Sequence, residues 1–230
     1  RDLLRAEMAL ARGEAAAARD LLGSLEARDP DVVAARDNLL GAARFRIGQH
    51  AAAREAFDAV LANPKALRRE KARARHNLGL VALREGRLDA AAALLQEAVV
   101  EADDLGESYG GALARRNLSI ALEHSGRYSP ALELAVEAAD RLSRQDRPSD
   151  LAAAFLTLAD LMLTFGEWDR ALSLASDAQQ NAPASAIVAA RCAFKRSECL
   201  LLRDRPAEAL EGLHDAIVQL DRLQLADLAA

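Results

Sequence analysis

Five of the twelve glycines recur at one place in a repeating pattern, and this recurrence constrains the fold more than any other feature of the sequence. Each of them is followed five residues later by an alanine, as in "GRLDAA" at 86–91. These turn glycines are Gly13, Gly48, Gly86, Gly126 and Gly166, and Asp204 occupies the same place in a sixth segment. The six positions are 35, 38, 40, 40 and 38 residues apart, which predicts repetition of one supersecondary unit.

The composition favours helices for that unit. Hydrophobic residues make up 51% of the 230, but only 3% are aromatic, while alanine and leucine dominate. Such a composition suits close helix packing better than a sheet of aromatic and β-branched residues. All six prolines lie between predicted helix pairs or in the first turn of a helix, where the missing N–H does no harm. The sequence therefore predicts an all-α fold of helix–turn–helix units.

The same sequence argues against nucleic acid binding, a membrane span and a disulfide bond. The balance of 30 basic and 35 acidic residues gives no reason to expect nucleic acid binding. The most apolar segment, 151–165, is too short and too polar for a membrane span. Cys192 and Cys199 are seven residues apart on one predicted helix, beyond disulfide reach, so we expect buried free thiols in a reducing, cytoplasmic environment. Because residue 1 is not methionine, we expect a piece of a longer protein.

One segment carries the whole repeating pattern. Residues 77–99 place Leu78, Gly79, Gly86, Ala91, Leu95 and Ala98 where the tetratricopeptide repeat has its leucine, glycine, turn glycine, alanine, large apolar residue and second alanine. The chain therefore resembles that family. Its long pitch is similar to that of kinesin light chains and of the sensor arms of bacterial transcription regulators and STAND-type ATPases.

The resemblance implies a right-handed superhelical solenoid of about six stacked antiparallel helix pairs in a single domain. The expected units are 1–30, 31–64, 65–105, 106–147, 148–182 and 183–222, and 223–230 would begin a further helix. In each unit the turn glycine would close the first helix with a positive φ, a conformation that Asp204 tolerates. Gly79 would instead let the second helix approach the first closely, as Ser119 and Ala159 would in later units.

No motif for catalysis, metal binding or cofactor binding is present. The sequence has no phosphate-binding glycine loop, and its four histidines lie in different units without metal-ligand spacing. We therefore expect a non-enzymatic protein without a cofactor or metal.

The resemblance places a binding groove along the first helices of the units. Its inner positions correspond to Asn38 and Arg46 in the second unit, Arg73, His76, Asn77 and Arg84 in the third, and Arg116, Asn117 and Glu123 in the fourth, with Asp160, Arg191, Phe194, Lys195, Glu198 and Leu201 further on. Residues 65–87 carry eight basic and two acidic side chains, a net charge of plus six. A basic inner stripe would attract an acidic peptide or a terminal carboxylate. Alternatively, Arg68, Arg69 and Arg75 face outward in salt bridges.

The leading hypothesis is a protein- or peptide-binding module of a larger signalling or regulatory protein. A second hypothesis is an intramolecular sensor arm that restrains an effector domain of a transcription regulator or STAND-type ATPase. A third is a self-association scaffold, in which exposed end repeats stack on another copy. In none of the three do we expect this segment itself to bind a membrane or nucleic acid.

Overall fold

The computed structural model describes residues 1–222, apart from the side chains of residues 186, 215 and 219–222. This part of the chain forms twelve α-helices and no strand, which confirms the predicted all-helical class. The helices are α1 (Asp2–Ala11), α2 (Ala15–Gly23), α3 (Pro30–Arg46), α4 (His50–Ala62), α5 (Arg68–Arg84), α6 (Leu88–Asp104), α7 (Ser108–His124), α8 (Tyr128–Ser143), α9 (Pro148–Thr164), α10 (Trp168–Asn181), α11 (Ala186–Leu202) and α12 (Pro206–Arg222). No described helix is long and apolar enough to cross a membrane. The helix expected at 223–230 lies outside the described residues.

Consecutive helices pack as pairs in two compact units, Arg1–Ala121 and a second that starts at Leu122. In the first unit α1 packs on α2, α3 on α4 and α5 on α6, and α3 also contacts both α1 and α5. In the second unit α9 packs on α10 and α11 on α12, and α11 also contacts α9. The stacked helix pairs of the predicted solenoid are therefore present within each unit. The predicted boundaries of the six repeats stay a prediction.

The turn residues end the first helix of each pair in a left-handed conformation. All five turn glycines have φ between 70° and 82°, and Asp204 has φ 57°. After α5, the N–H of Gly86 donates to the carbonyl oxygen of Leu83 at 3.0 Å, and the N–H of Arg87 donates to that of Ala82 at 2.9 Å. This is the Schellman arrangement, which satisfies carbonyl groups that a helix end leaves without partners. The predicted role of the turn glycines is confirmed.

The second glycine position lies where two helices of a pair touch. A Cβ atom built on Gly79 would lie 2.6 Å from Cγ of Leu95 on α6, and one built on Gly41 would lie 2.5 Å from Cε1 of Phe57 on α4. Real Cβ atoms do not approach other carbons this closely. In later pairs the equivalent positions hold the fully buried Ser119 and Ala159. These glycines therefore remove volume at the helix–helix seam, as the sequence predicts.

Small side chains fill the core on both sides of these seams. Phe57, Val60 and Val81 form a buried cluster in the first unit with alanines of α3, α4 and α5. In the second unit, a cluster around Leu156 and Val188 includes Cys192. Cys192 and Cys199 are buried free thiols, as predicted, and burial raises the pKa of both.

Candidate functional site

Four predicted inner residues lie along one side of α5. Arg73, His76, Asn77 and Arg84 fall within a stripe of about 100° because each residue of an α-helix advances by about 100°. Arg73 and Arg84 are exposed, and His76 and Asn77 are half-buried. Among the side chains that the structure describes, those of Asn77 and Arg84 make no hydrogen bond and no ion pair. Their hydrogen-bonding capacity is therefore open to a partner.

A hydrogen-bonded relay links α7 to His76. Nη2 of Arg116 donates to Oδ1 of Asn117 at 3.1 Å, so the other end of that amide, Nδ2, faces Nε2 of His76 at 2.7 Å. An amide NH₂ can only donate, so Nε2 accepts and the ring proton resides on Nδ1. Burial and then the positive charge of Arg116 lower the pKa of His76 to about 4. The relay therefore holds a neutral His76 in one tautomer, with its Nδ1–H as a donor.

Beside this relay is a cavity of about 30 Å³, lined by Arg73, His76, Glu107 and small residues of α5, α6 and α7. Ligand pockets for small molecules are typically about ten times larger, whereas this volume accommodates about one water molecule. This cavity is therefore too small to enclose a small-molecule ligand.

Two other predicted inner residues are bonded within the chain. Asn38 is buried, and its Nδ2 donates to the carbonyl oxygen of Glu70 at 2.9 Å and to Oε2 of the same residue at 2.8 Å. Arg46 donates to the carbonyl oxygen of Leu10. Both side chains therefore fasten α3 to a neighbouring helix of its unit.

Much of the predicted basic stripe faces α6. Arg68 pairs with Asp104 at 3.3 Å, and Arg75 pairs with Glu97 at 3.0 Å and with Glu101 at 2.7 Å. Arg69 lies 3.6 Å from Glu70. The net charge of plus six counts only residues 65–87, so it leaves out the acids of α6. The cations that remain at inner positions of α5 are Arg73, which also lies 3.3 Å from Glu70, and Arg84.

The remaining predicted residue, Glu123, belongs to a charged cluster in the second unit. Lys195 of α11 pairs with Asp160 of α9 and lies 2.6 Å from Oε2 of Glu198. Burial and then the negative charge of Asp160 raise the pKa of Glu123 to about 7. The described residues contain no group of three or more histidine, cysteine, aspartate or glutamate side chains that could hold a metal ion.

Sequence reasoning did not single out Glu70. This carboxylate is buried and joins Asn38 of α3 to the arginines of its own helix. The sequence does contain a sign of its role. Glu70 is the single acidic residue within the basic run "RREKARAR", so it could have been predicted to pair with the neighbouring arginines.

Residues 38–107 match the family model described as Tetratricopeptide repeat. This segment begins within α3 and ends just before α7, so it covers the two glycine seams and all of α5. Among curated proteins, none matches the sequence. The family match and the packing of helix pairs together identify a tetratricopeptide-like fold.

Solved structures share this fold at low sequence identity. A Rap protein complexed with Competence and Sporulation Factor has a TM-score of 0.77 at 17% identity, with 99% of this chain and 71% of that chain covered. The Rap conjugation gene regulator of plasmid pLS20, in complex with the Phr* peptide, has a TM-score of 0.71 at 17% identity, with 99% and 75% covered. A putative kinesin light chain from Podosopora anserina has a TM-score of 0.63 at 18% identity, with 86% and 99% covered. At this level of identity the likeness concerns the fold.

Proposed function

We propose that the chain is a non-enzymatic module that binds a protein or peptide segment along α5 and α7. The binding surface would consist of Arg73, His76, Asn77 and Arg84 of α5 with Arg116 of α7, and the buried Asn117 of α7 would orient His76. The observation that carries this proposal is the unused hydrogen-bonding capacity of Asn77 and Arg84 on a surface whose other polar groups are fixed in place. A similar fold in the pLS20 regulator holds a peptide, which supports the same use here.

The chemistry of this surface favours an extended, acidic segment. Asn77 can donate to and accept from a peptide backbone at once. Arg84 and Arg73 lie at opposite ends of the stripe, and a guanidinium can bind a carboxylate through two parallel hydrogen bonds. His76 adds a neutral donor that suits a carbonyl or carboxylate oxygen. Asn117 is a positioning residue in this scheme, because its amide is used to orient His76.

Calorimetric titration with two synthetic dodecapeptides tests the proposal. One is rich in aspartate and glutamate, and the other carries lysine at each acidic position. We expect the acidic peptide to bind, and Arg84→Glu to weaken its binding at least tenfold. Arg68→Glu is the matched control, because it makes the same charge change on α5 at a residue paired with α6. Equal losses in both variants would mean that net charge alone attracts the peptide, and no loss in either would exclude this surface.

The role in the parent protein is a further part of the proposal. A binding module of a signalling or regulatory protein in the cytoplasm fits the two buried free thiols. The alternative is an intramolecular sensor arm that holds an effector domain through the same surface. The parent reading frame separates the two, because a nucleotide-binding loop or a DNA-binding helix beside this segment would favour the sensor arm.

Self-association is the remaining alternative. Leu4 and Met8 of α1 and Leu210 and Ile217 of α12 are exposed large apolar side chains. Stacking of these helices on another copy would cover them. Sedimentation velocity over a range of protein concentrations tests this alternative, and a concentration-independent monomer would exclude it.

A further inference from the structure

The side-chain amide of Asn117 has one orientation, because its two neighbours exclude the other. Nη2 of Arg116 lies 3.1 Å from Oδ1 of Asn117, and a guanidinium can only donate. The NH₂ end of the amide therefore faces Nε2 of His76, at 2.7 Å. Asn117 is only 3% exposed, so solvent does not replace either partner. A flip of the amide would set donor against donor at Arg116 and lose the hydrogen bond there.

The other ring nitrogen of His76 has no partner among the described residues. Because Nε2 accepts from Asn117, the single proton of a neutral ring resides on Nδ1. Within the described part of the chain no group is bonded to Nδ1, and Nδ1 is not one of the buried polar atoms that lack a partner. Its N–H is therefore accessible to an atom of a bound segment.

The surroundings of His76 oppose a second proton on its ring. A protonated Nε2 would be a donor facing the donor NH₂ of Asn117, and the bond to Arg116 keeps that amide from turning. Arg73 and Glu107 are the other charged residues at the cavity beside His76, to which α6 contributes only alanines. Burial and then the charge of Arg116 lower the pKa of His76 from 6.5 to about 4. The ring therefore stays neutral, with one donor, well below the pH at which an ordinary histidine is protonated.

We propose that Asn117, held by Arg116, is a specificity-determining residue of the α5–α7 surface: it keeps the proton of His76 on Nδ1, so that only an acceptor atom of the bound segment fits there. The inference rests on the proposed function and names the group recognised at this point, a carboxylate or a backbone carbonyl oxygen. An amine or a guanidinium would meet the Nδ1–H donor to donor and is rejected. Asn117 acts through His76 and is a positioning residue, whereas the N–H of His76 contacts the bound segment.

Long-range nitrogen–proton NMR of the histidine rings tests the fixed tautomer in the free protein. We expect His76 to carry its proton on Nδ1 alone, and Asn117→Leu, which removes both ends of the amide, to move the proton toward Nε2. Asn38→Leu is the matched control, because Asn38 is also a buried amide, with 5% exposed, and it bonds Glu70. It should leave the tautomer of His76 unchanged. A proton on Nε2 in the unmodified protein, or an unchanged tautomer in Asn117→Leu, would overturn the proposal.

A second variant alters the proton affinity of His76 without removing its partner. In Asn117→Asp a carboxylate accepts from Nε2–H and favours a second proton on the ring. We expect the affinity of this variant for the acidic dodecapeptide to rise at least threefold from pH 7.5 to pH 5, relative to the unmodified protein, because a charged ring then faces the peptide. Equal pH profiles of the two proteins in calorimetric titration would mean that Asn117 does not control His76.

Peptide binding separates this proposal from the proposed function. If the acidic dodecapeptide does not bind the unmodified protein, the proposed function is wrong and the specificity proposal falls with it. If the peptide binds and Asn117→Leu keeps its affinity within twofold although the proton has moved, the proposed function stands and the specificity proposal is wrong. A loss of at least fivefold together with the change of tautomer would support both. Should Asn117→Leu fail to fold, the pH profile of Asn117→Asp decides.

Discussion

The contact between Gly79 and Leu95 can be tested by changing both sides of the seam. A methyl group at position 79 would lie 2.6 Å from Cγ and 2.8 Å from Cδ2 of Leu95, which is fully buried. Leu95 therefore cannot move outward into solvent. Overpacking of this kind typically costs about 1–3 kcal/mol. Replacement of a helical glycine by alanine would otherwise contribute up to about 1 kcal/mol of stability. We expect Gly79→Ala to lower the free energy of unfolding despite its better helix propensity.

The double variant isolates the contact. Leu95→Ala alone leaves a cavity and should cost about 2–5 kcal/mol. In the combined variant the methyl group at position 79 has room, so its helix-propensity gain remains and its clash is gone. The pair would then match Ala159 and Ala175, which are both buried in the second unit. We expect the two changes to be coupled favourably by about 1–3 kcal/mol, a value typical of residues in direct contact.

Urea unfolding of the unmodified protein, the two single variants Gly79→Ala and Leu95→Ala, and the double variant measures this coupling. Gly110→Ala is the control, because a Cβ atom there would have its nearest neighbour, Oε2 of Glu107, at 3.4 Å. That variant should be neutral or more stable by up to about 1 kcal/mol. Additive effects of Gly79→Ala and Leu95→Ala, or a higher urea midpoint for Gly79→Ala, would refute the assignment of Gly79 to the seam.

Three further predictions concern protonation and backbone strain. The pKa of His76 is lowered to about 4, so the unfolded chain binds the proton more readily than the folded protein does. The protein should therefore lose up to about 3 kcal/mol of stability as the pH falls from 6.5 to 4. Urea unfolding at pH 7 and at pH 4 measures this loss, and the His76→Gln variant should lack it. The pKa of Glu123 is raised to about 7, so its protonated form stabilises the folded state below pH 4.5 and this stability is lost as pH rises through 7. Glu123→Gln should remove that decline, measured as melting temperature against pH. Asp204 has φ 57°, so Asp204→Gly should raise the free energy of unfolding by about 1 kcal/mol, and an unchanged melting temperature would contradict this.

The fold could be predicted because its determinants are local. A positive φ at the end of a helix is sterically easy only for glycine and tolerable for aspartate, so Gly86 and Asp204 mark the helix ends in the sequence itself. The seam can also be predicted from the sequence. A glycine within a helix lowers stability, so its presence indicates a position where a larger side chain would clash with the neighbouring helix. Gly41 and Gly79 show this in adjacent pairs.

The candidate site could be predicted only in part, because spacing gives the face of a helix and leaves the partners of its side chains open. Arg75 was recognised as a possible outward residue, but its pairing with Glu97 and Glu101 depends on how α6 lies against α5. Asn38 occupies a predicted inner position, but its amide donates hydrogen bonds to Glu70, thirty-two residues away in the chain. The relay from Arg116 to His76 likewise joins two helices that the sequence separates by forty residues. These contacts follow from packing, which no single segment specifies.

Equivalent helix positions hold different side chains in the two units. We therefore expect the residues that determine stability to differ from those that determine which partner binds. His76 and Phe194 both lie ten residues before the turn residue of their pair, and Asn77 and Lys195 both lie nine before it. None of these four side chains is fully buried, so exchanging them leaves the turns and the glycine seams intact. Gly79→Ala should therefore change stability and leave peptide binding at α5 and α7 within twofold when the protein is folded. Phe194→Ser changes a side chain that is 47% exposed, so it should leave the melting temperature unchanged. A set of variants in which peptide binding followed stability throughout would mean that the proposed α5–α7 surface is part of the core.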